Sequence, residues 1–281
     1  MNENILHCGP YRLSLERPLV MGIINATPDS FSGDGVAFDI GRAVAQAQQF
    51  IADGADVLDI GGESTRPGSD PVSSDEELKR VIPLIRALSG LGVPLSIDTW
   101  KPEVMREALA AGATMVNDVN GLCAPGAIDV VAATEAAVCI MHMQGTPQTM
   151  QVSPFYADVC GEVTDFLLQR ALVAQDSGIG RERIVLDPGF GFGKTPEHNL
   201  MLIKGLAELA AHGYPLLVGL SRKSVLGRLT GRPVTDRVAA SVAAALASVA
   251  RGARMVRVHD VAATRDALSV WQVVGVFPHR I

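Results

Sequence analysis

Short apolar runs that end in polar residues set the rhythm of this chain. Leu19 to Ile24, Val57 to Ile60, Leu95 to Ile97, Met115 to Val116, Val138 to Met141, Ile184 to Leu186, Leu216 to Val218 and Met255 to Val258 are each bounded by Gly, Pro or polar residues and read as buried strands. Between them the spacing predicts helices over 41–53, 74–88, 102–111, 156–177, 198–212, 235–251 and 261–273. Strand then helix, repeated, implies parallel strands. About eight strands is the number a closed (β/α)₈ barrel requires, and that α/β barrel is the predicted fold; an open doubly wound sheet is the alternative. Glycines at Gly54, Gly112, Gly213 and Gly252 stand where a helix must stop before the next strand, a position suited to a left-handed residue. Residues 1–17, with Gly9-Pro10 inside them, predict an N-terminal hairpin closing the barrel's bottom, and 18–281 the barrel of a single domain.

Composition narrows the function. At 281 residues and 48% hydrophobic content the chain can bury a large core. A net charge of −6 argues against a general nucleic-acid binder, so an anionic substrate must be met by local basic residues. No apolar run approaches the roughly 18 residues of a membrane span, and Met1 to Arg12 has no signal layout. The Ala-rich stretch Val238 to Ala250 reads as a packed helix, a candidate subunit contact. Cys8, Cys123, Cys139 and Cys160 show neither disulfide nor zinc spacing, and the expected home is a reducing cytoplasm.

In a barrel the loops after the strands form one face, so the strand ends converge. In order they carry Asn25; Asp59 with Glu63, Thr65 and Arg66; Asp98; Asn117 with Asp118; His142; Asp187; Ser221 with Arg222 and Lys223; and Arg257 with His259. Arg257 and His259 alternate with Val256 and Val258, share one side of their strand, and precede a helix whose free N–H groups favour an anion such as a diphosphate. The plainer alternative pairs Arg257 with an acid inside the barrel. Asn25 is a candidate oxygen ligand for a Mg²⁺ shared with that diphosphate, or a turn former. Asp98, Asn117 and Asp187 match a flat heterocycle rich in N–H donors and ring acceptors, although Asp98 would also serve as a helix cap. The run from Asp187 to Thr195 ends in Gly-Lys-Thr but fails as a P-loop, because Pro188 stands where that motif needs glycine. Its glycines suit close passage of backbone by a ligand, with Phe190 or Phe192 as a flat surface. His142 reads as a wall residue, and no spacing indicates covalent catalysis.

Taken together, NATPDSF at 25–31, GADVLDIGGESTRP at 54–67, SIDTWKPEV at 96–104, Asn117-Asp118, MHMQG at 141–145, DPGFGFGK at 187–194, SRKS at 221–224 and RVHD at 257–260 make the chain resemble the dihydropteroate synthase family over nearly its whole length. The resemblance implies a (β/α)₈ barrel joining 7,8-dihydropterin-6-ylmethyl diphosphate to 4-aminobenzoate in folate synthesis, with Mg²⁺, a homodimer and sulfonamides as aminobenzoate mimics. By motif, Asn25 would touch the metal; Asp98, Asn117, Asp187 and Lys223 would hold the pterin; Arg257 and His259 the diphosphate. Thr65, Pro67, Phe190 and Ser224 would line the aminobenzoate site, with Arg66 close by and Met141 also at the substrate. Two features depart from the family's pattern. The loop Ser-Phe-Ser-Gly-Asp-Gly over 30–35 shifts its carboxylate, Asp34, by one place, and Trp100 stands where a small residue is common. A pterin-dependent methyltransferase would have no use for Arg257 and His259; a catalytically silent pterin-binding paralogue would be favoured only by the altered loop.

Overall fold

The computed structural model describes residues 4–27, 39–65 and 68–274. The expectations for Asp34, Arg66 and Pro67 therefore fall outside the described residues.

The chain opens with an antiparallel hairpin, β1 (Ile5–Cys8) and β2 (Tyr11–Ser14), in the register Ile5 to Ser14 and Cys8 to Tyr11. Eight parallel strands then close into a barrel: β3 (Leu19–Asn25), β4 (Val57–Gly61), β5 (Leu95–Asp98), β6 (Met115–Asp118), β7 (Ala137–Met141), β8 (Ile184–Asp187), β9 (Leu216–Val218) and β10 (Ala253–Val258), which returns to pair with β3. Every predicted run is a strand, and the open sheet is excluded by the β10 to β3 pairing of Arg257 with Met21 and Val258 with Gly22. Most of the helices lie where expected: α1 (Ile40–Ala52), α2 (Ser74–Leu88), α3 (Pro102–Ala111), α4 (Ala127–Ala132), α5 (Val159–Asp176), α6 (Pro196–Ala210), α7 (Ser224–Thr230), α8 (Val238–Val249) and α9 (Val261–Val274). The short α4 and α7 were not predicted, because six and seven residues barely complete two turns of periodicity. Gly112 caps α3 at φ 118°, a backbone shape that a side chain would strain.

The strands bury side chains on both faces. Val20, Ile24, Leu58, Ile60, Ile97 and Val116 point outward into an apolar layer shared with the helices. Met21, Val57, Met115, Cys139, Val185, Leu217 and Met255 point inward, and the hairpin's Leu6 and Cys8 join this inner cluster with Leu15. The hairpin thus plugs the end at which the strands begin, as expected. Gly9 N donates to Glu135 O at 2.9 Å and Cys8 Sγ to Thr114 O at 3.2 Å, fastening the plug.

Candidate active site

Further along the same strands, the inward positions change from apolar to charged. Register places Asp59 beside Ser96, and Asp98 beside Asn117 and Gly61, so one ring of neighbours carries two carboxylates and an amide. Arg257 reaches across this ring. Its Nε donates to Asp59 Oδ2 at 2.5 Å and its Nη2 to Asp98 Oδ2 at 2.7 Å, while Asn117 Nδ2 donates to Asp59 Oδ2 at 3.1 Å. The plainer sequence reading of Arg257, as the partner of an acid inside the barrel, is therefore realised. A guanidinium has five N–H donors and the carboxylates take two, so the same fork still offers donors to an anion. Asp98 is no helix cap: Lys101 occupies the cap position of α3, and the nearest hydroxyl, Thr99 Oγ1, accepts Lys101 N at 3.3 Å.

Burial dominates the electrostatics. It pushes Asp98 up to about 7 against the opposing pull of Arg257, with Asp59 adding repulsion. Arg257 itself is held above its ordinary value, because Asp59 and Asp98 more than offset its own desolvation. Asp59 Oδ1 and Asp98 Oδ1 are buried without a hydrogen-bond partner, so the ring has acceptor capacity in reserve.

Asp187 ends β8 and turns back to accept Gly189 N at 2.7 Å; burial raises its pKa although Lys223 pulls it down. Burial lowers Lys223 to about 8, against the attraction of Asp187. Lys223 Nζ donates to the carbonyl of Phe190 and stands 4.6 Å from the centre of the Phe192 ring. The Phe190 ring is packed into the outer apolar layer with 1% exposure, whereas Phe192 is the ring beside Lys223. A Cβ on Gly189 would lie 1.9 Å from His142 O, and one on Gly193 2.4 Å from Gln144 O: the turn lies against the exit of β7, and this backbone by itself demands glycine at both positions.

Lys194, which carried no expected role, clamps that turn. Its buried ammonium lies 3.0 Å from His142 Nδ1 and donates to Gly189 O and Phe192 O, each at 3.0 Å. Burial lowers Lys194 to about 7, and burial together with this ammonium pushes His142 down to about 3. His142, expected as a wall residue, is buried between Lys194 and the edge of Phe166, whose ring centre lies 5.0 Å away. Met141 lies beside it with 3% exposure.

On the last strand, His259 Nδ1 meets Ser221 Oγ at 3.1 Å, and its amide donates to the same oxygen at 3.2 Å. Arg222 grips Asp260 through two bonds, Nε to Oδ2 at 3.0 Å and Nη2 to Oδ1 at 2.5 Å. These contacts join the SRKS and RVHD segments and hold Arg222 at φ 59°, a left-handed shape for a non-glycine residue. Lys223 and the exposed Ser224 follow directly as the cap and first residue of α7. Thr65 is half-buried in the segment after β4.

Asn25 is the last residue of β3, beside Gly61. Among the described residues no group of three or more His, Cys, Asp or Glu could hold a metal ion. A single amide oxygen suits a Mg²⁺ ion that draws its other ligands from a phosphorylated substrate and water.

The family model described as pterin binding enzyme matches residues 21–259. The chain is 50% identical over 283 aligned residues to the dihydropteroate synthase of Neisseria meningitidis serogroup B, covering 98% of this chain and 99% of that one. The solved dihydropteroate synthase of Xanthomonas albilineans with 4-aminobenzoic acid superposes with a TM-score of 0.92 at 51% identity, covering 98% of this chain and 99% of that chain. That of Burkholderia cenocepacia, complexed with 7,8-dihydropteroate, gives 0.88 at 56% identity and 96% coverage of each. Matched in sequence and in fold along nearly all its length, the chain belongs to the dihydropteroate synthase family of pterin-binding enzymes.

Proposed function

We propose that this transferase condenses 7,8-dihydropterin-6-ylmethyl diphosphate with 4-aminobenzoate, giving 7,8-dihydropteroate and diphosphate, by a substitution in which the diphosphate departs first. The observation that carries the reading is the meeting of Arg257, Asp98, Asn117, Asp187 and Lys223 around one barrel mouth. Asp98, Asn117, Asp187 and Lys223 hold the pterin, with Met141 beside them. Arg257, His259 and the N-terminus of α9 hold the diphosphate. Thr65, Arg66, Pro67, Ser224 and the Phe190 turn receive the aminobenzoate.

An arylamine is a weak nucleophile, so the barrier lies in separating diphosphate from a methylene carbon that becomes cationic in conjugation with the pterin. The residues address both charges. The spare N–H groups of Arg257 and the start of α9 stabilise the leaving anion where it forms. Asp98 and Asp187, raised by burial, gain stabilisation as carboxylates when positive charge appears on the pterin. No base strong enough to ionise the amine is required. Asn25 would contribute to holding Mg²⁺, which when bound supplies Lewis-acid stabilisation of diphosphate oxygens. Asp34 is read as a further contributor from the first loop.

The chain is read as one pterin-binding unit, 18–281, with 1–17 as its floor, acting in the cytoplasm on the folate route as a sulfonamide target. No helix among the described residues is long and apolar enough to cross a membrane. A homodimer is supported by exposed Leu229, Val234 and Val270 on or beside α7, α8 and α9.

The test is product formation from the pterin diphosphate with Mg²⁺, with and without 4-aminobenzoate. Stoichiometric dihydropteroate and diphosphate are expected; tight pterin binding without product would contradict the reading and favour a silent binding paralogue. In single-turnover trapping, diphosphate release that never occurs without 4-aminobenzoate would remove the dissociative order.

A further inference from the structure

A second buried ionic cluster lies outside the residues assigned to the chemistry. Lys101 Nζ donates to Glu63 Oε2 at 2.8 Å, to Glu77 Oε2 at 2.6 Å and to Val72 O at 2.5 Å. An ammonium has three protons, and these contacts use them all. The other oxygen of Glu63 accepts Val72 N at 2.9 Å. The side chains of Lys101, Glu63 and Glu77 are only 9%, 10% and 0% exposed.

Three elements meet here: the exit of β4, helix α2, and the connection from β5 to α3. The exit lies directly on α2, for a Cβ on Gly62 would stand 2.7 Å from Val81 Cγ1 and 2.9 Å from Glu77 Cγ. Arg80, also on α2, donates to Gly62 O at 3.0 Å. Glu63 and Val72 are thereby pinned to one point, and with them the strand exit that carries Thr65. Asp98, three residues before Lys101, is held separately by Arg257 Nη2 at 2.7 Å, so the pterin-site carboxylate does not depend on this anchor.

Stability alone is a poor account of the cluster. Two carboxylates share one ammonium, Glu77 Oε1 is buried without a partner, and burial raises the pKa of Glu77 above its ordinary value. Apolar side chains of similar volume commonly match or exceed the stability of such a group. What the ion cluster adds is fixed geometry at the root of a substrate segment.

We infer that Lys101, together with Glu63 and Glu77, is a positioning residue for the second substrate, setting the placement of Thr65 and so the affinity for 4-aminobenzoate without touching it. This rests on the functional reading above. The experiment is initial-rate kinetics with each substrate varied in turn. Lys101→Met is expected to raise KM for 4-aminobenzoate at least tenfold while KM for the pterin diphosphate stays within twofold. Because that variant leaves two buried carboxylates facing each other, the double variant Lys101→Met/Glu77→Met, which removes one charge of each sign, is measured beside it and should show the same selective rise. Unchanged constants, or a parallel rise for both substrates in a folded variant, would overturn the inference. Failure of the double variant to fold would assign the cluster to stability and overturn it as well. If the unaltered enzyme made no dihydropteroate, the functional reading would fall and this inference with it; turnover by the unaltered enzyme with unselective variants would sink the inference alone.

Discussion

The two ends of the barrel are built from the same strands and behave as different materials. At the end where strands begin, inward positions hold Met21, Val57, Met115 and Leu217, covered by Leu6 and Cys8 of the hairpin. At the end where they finish, inward positions hold Asp59, Asp98, Asn117, Asp187 and Arg257, bound to each other or to backbone. Burial stabilises the first set and penalises the second, and the second is kept by mutual pairing. The difference teaches that a few residues of strand length separate the part of the barrel that holds the fold from the part that works. A cavity of ≈ 880 Å³ beneath the hairpin turn, between Pro10, Leu109 and Ala133, belongs to the first end.

That division is most sharply tested at Arg257. Arg257→Ala should lower kcat/KM by about 10³-fold, the scale on which a preorganised donor to a developing anion acts. Asp98, stripped of its cation, should then hold its proton further into the alkaline range. A carboxyl raised in the folded state stabilises most below its unfolded value and loses that contribution as pH rises through its folded value. Urea midpoints of the variant should accordingly keep falling above pH 7, where those of the unaltered enzyme level off, and matching profiles would contradict the pairing.

The opposite substitution, Leu6→Ala in the plug, should cost about 3 kcal/mol of unfolding free energy, the range for a buried leucine, while kcat/KM of the folded enzyme stays within about twofold. An activity loss as large as that of Arg257→Ala would break the comparison.

His142 gives a smaller effect, on pH dependence. Its folded pKa is depressed to about 3 by burial and Lys194, so its contribution is present above the unfolded value and lost as pH falls toward the folded one. Between pH 6.5 and 5 this amounts to roughly 2 kcal/mol. Stability measured over that interval should fall less steeply in His142→Gln than in the unaltered enzyme.

Trp100 should matter least. It is 36% exposed and lies 5.7 Å from Lys101 Nζ, an arrangement worth about 0.5–1 kcal/mol, so Trp100→Ala should change kcat/KM by less than about threefold.

The barrel was legible because strands buried on both faces appear as short, mostly apolar runs, with polar side chains at or just before the end that meets the mouth. Most of the site was legible for the same reason. The pairings were not. Arg257 and Asp59 stand 198 residues apart, and only closure of the barrel brings them together. One signal was available: Asp59 sits inside the run Val57 to Ile60, and a carboxylate there must find a partner. Lys101 and Lys194 gave no such sign. Nothing beside either in the sequence marks it as buried, because Glu63 and Glu77 reach Lys101, and His142 reaches Lys194, only in the fold. Phe190 and Phe192 are likewise equivalent on paper, and only the path of the turn sends the first into the outer layer and leaves the second beside Lys223.

The central claim, that chemistry resides at one end and stability at the other, is tested most directly by measuring dihydropteroate formation by Arg257→Ala and Leu6→Ala at equal concentrations of folded enzyme. Loss of about 10³-fold in the first with near-normal turnover in the second is the predicted result. Comparable activity in the two variants would contradict it.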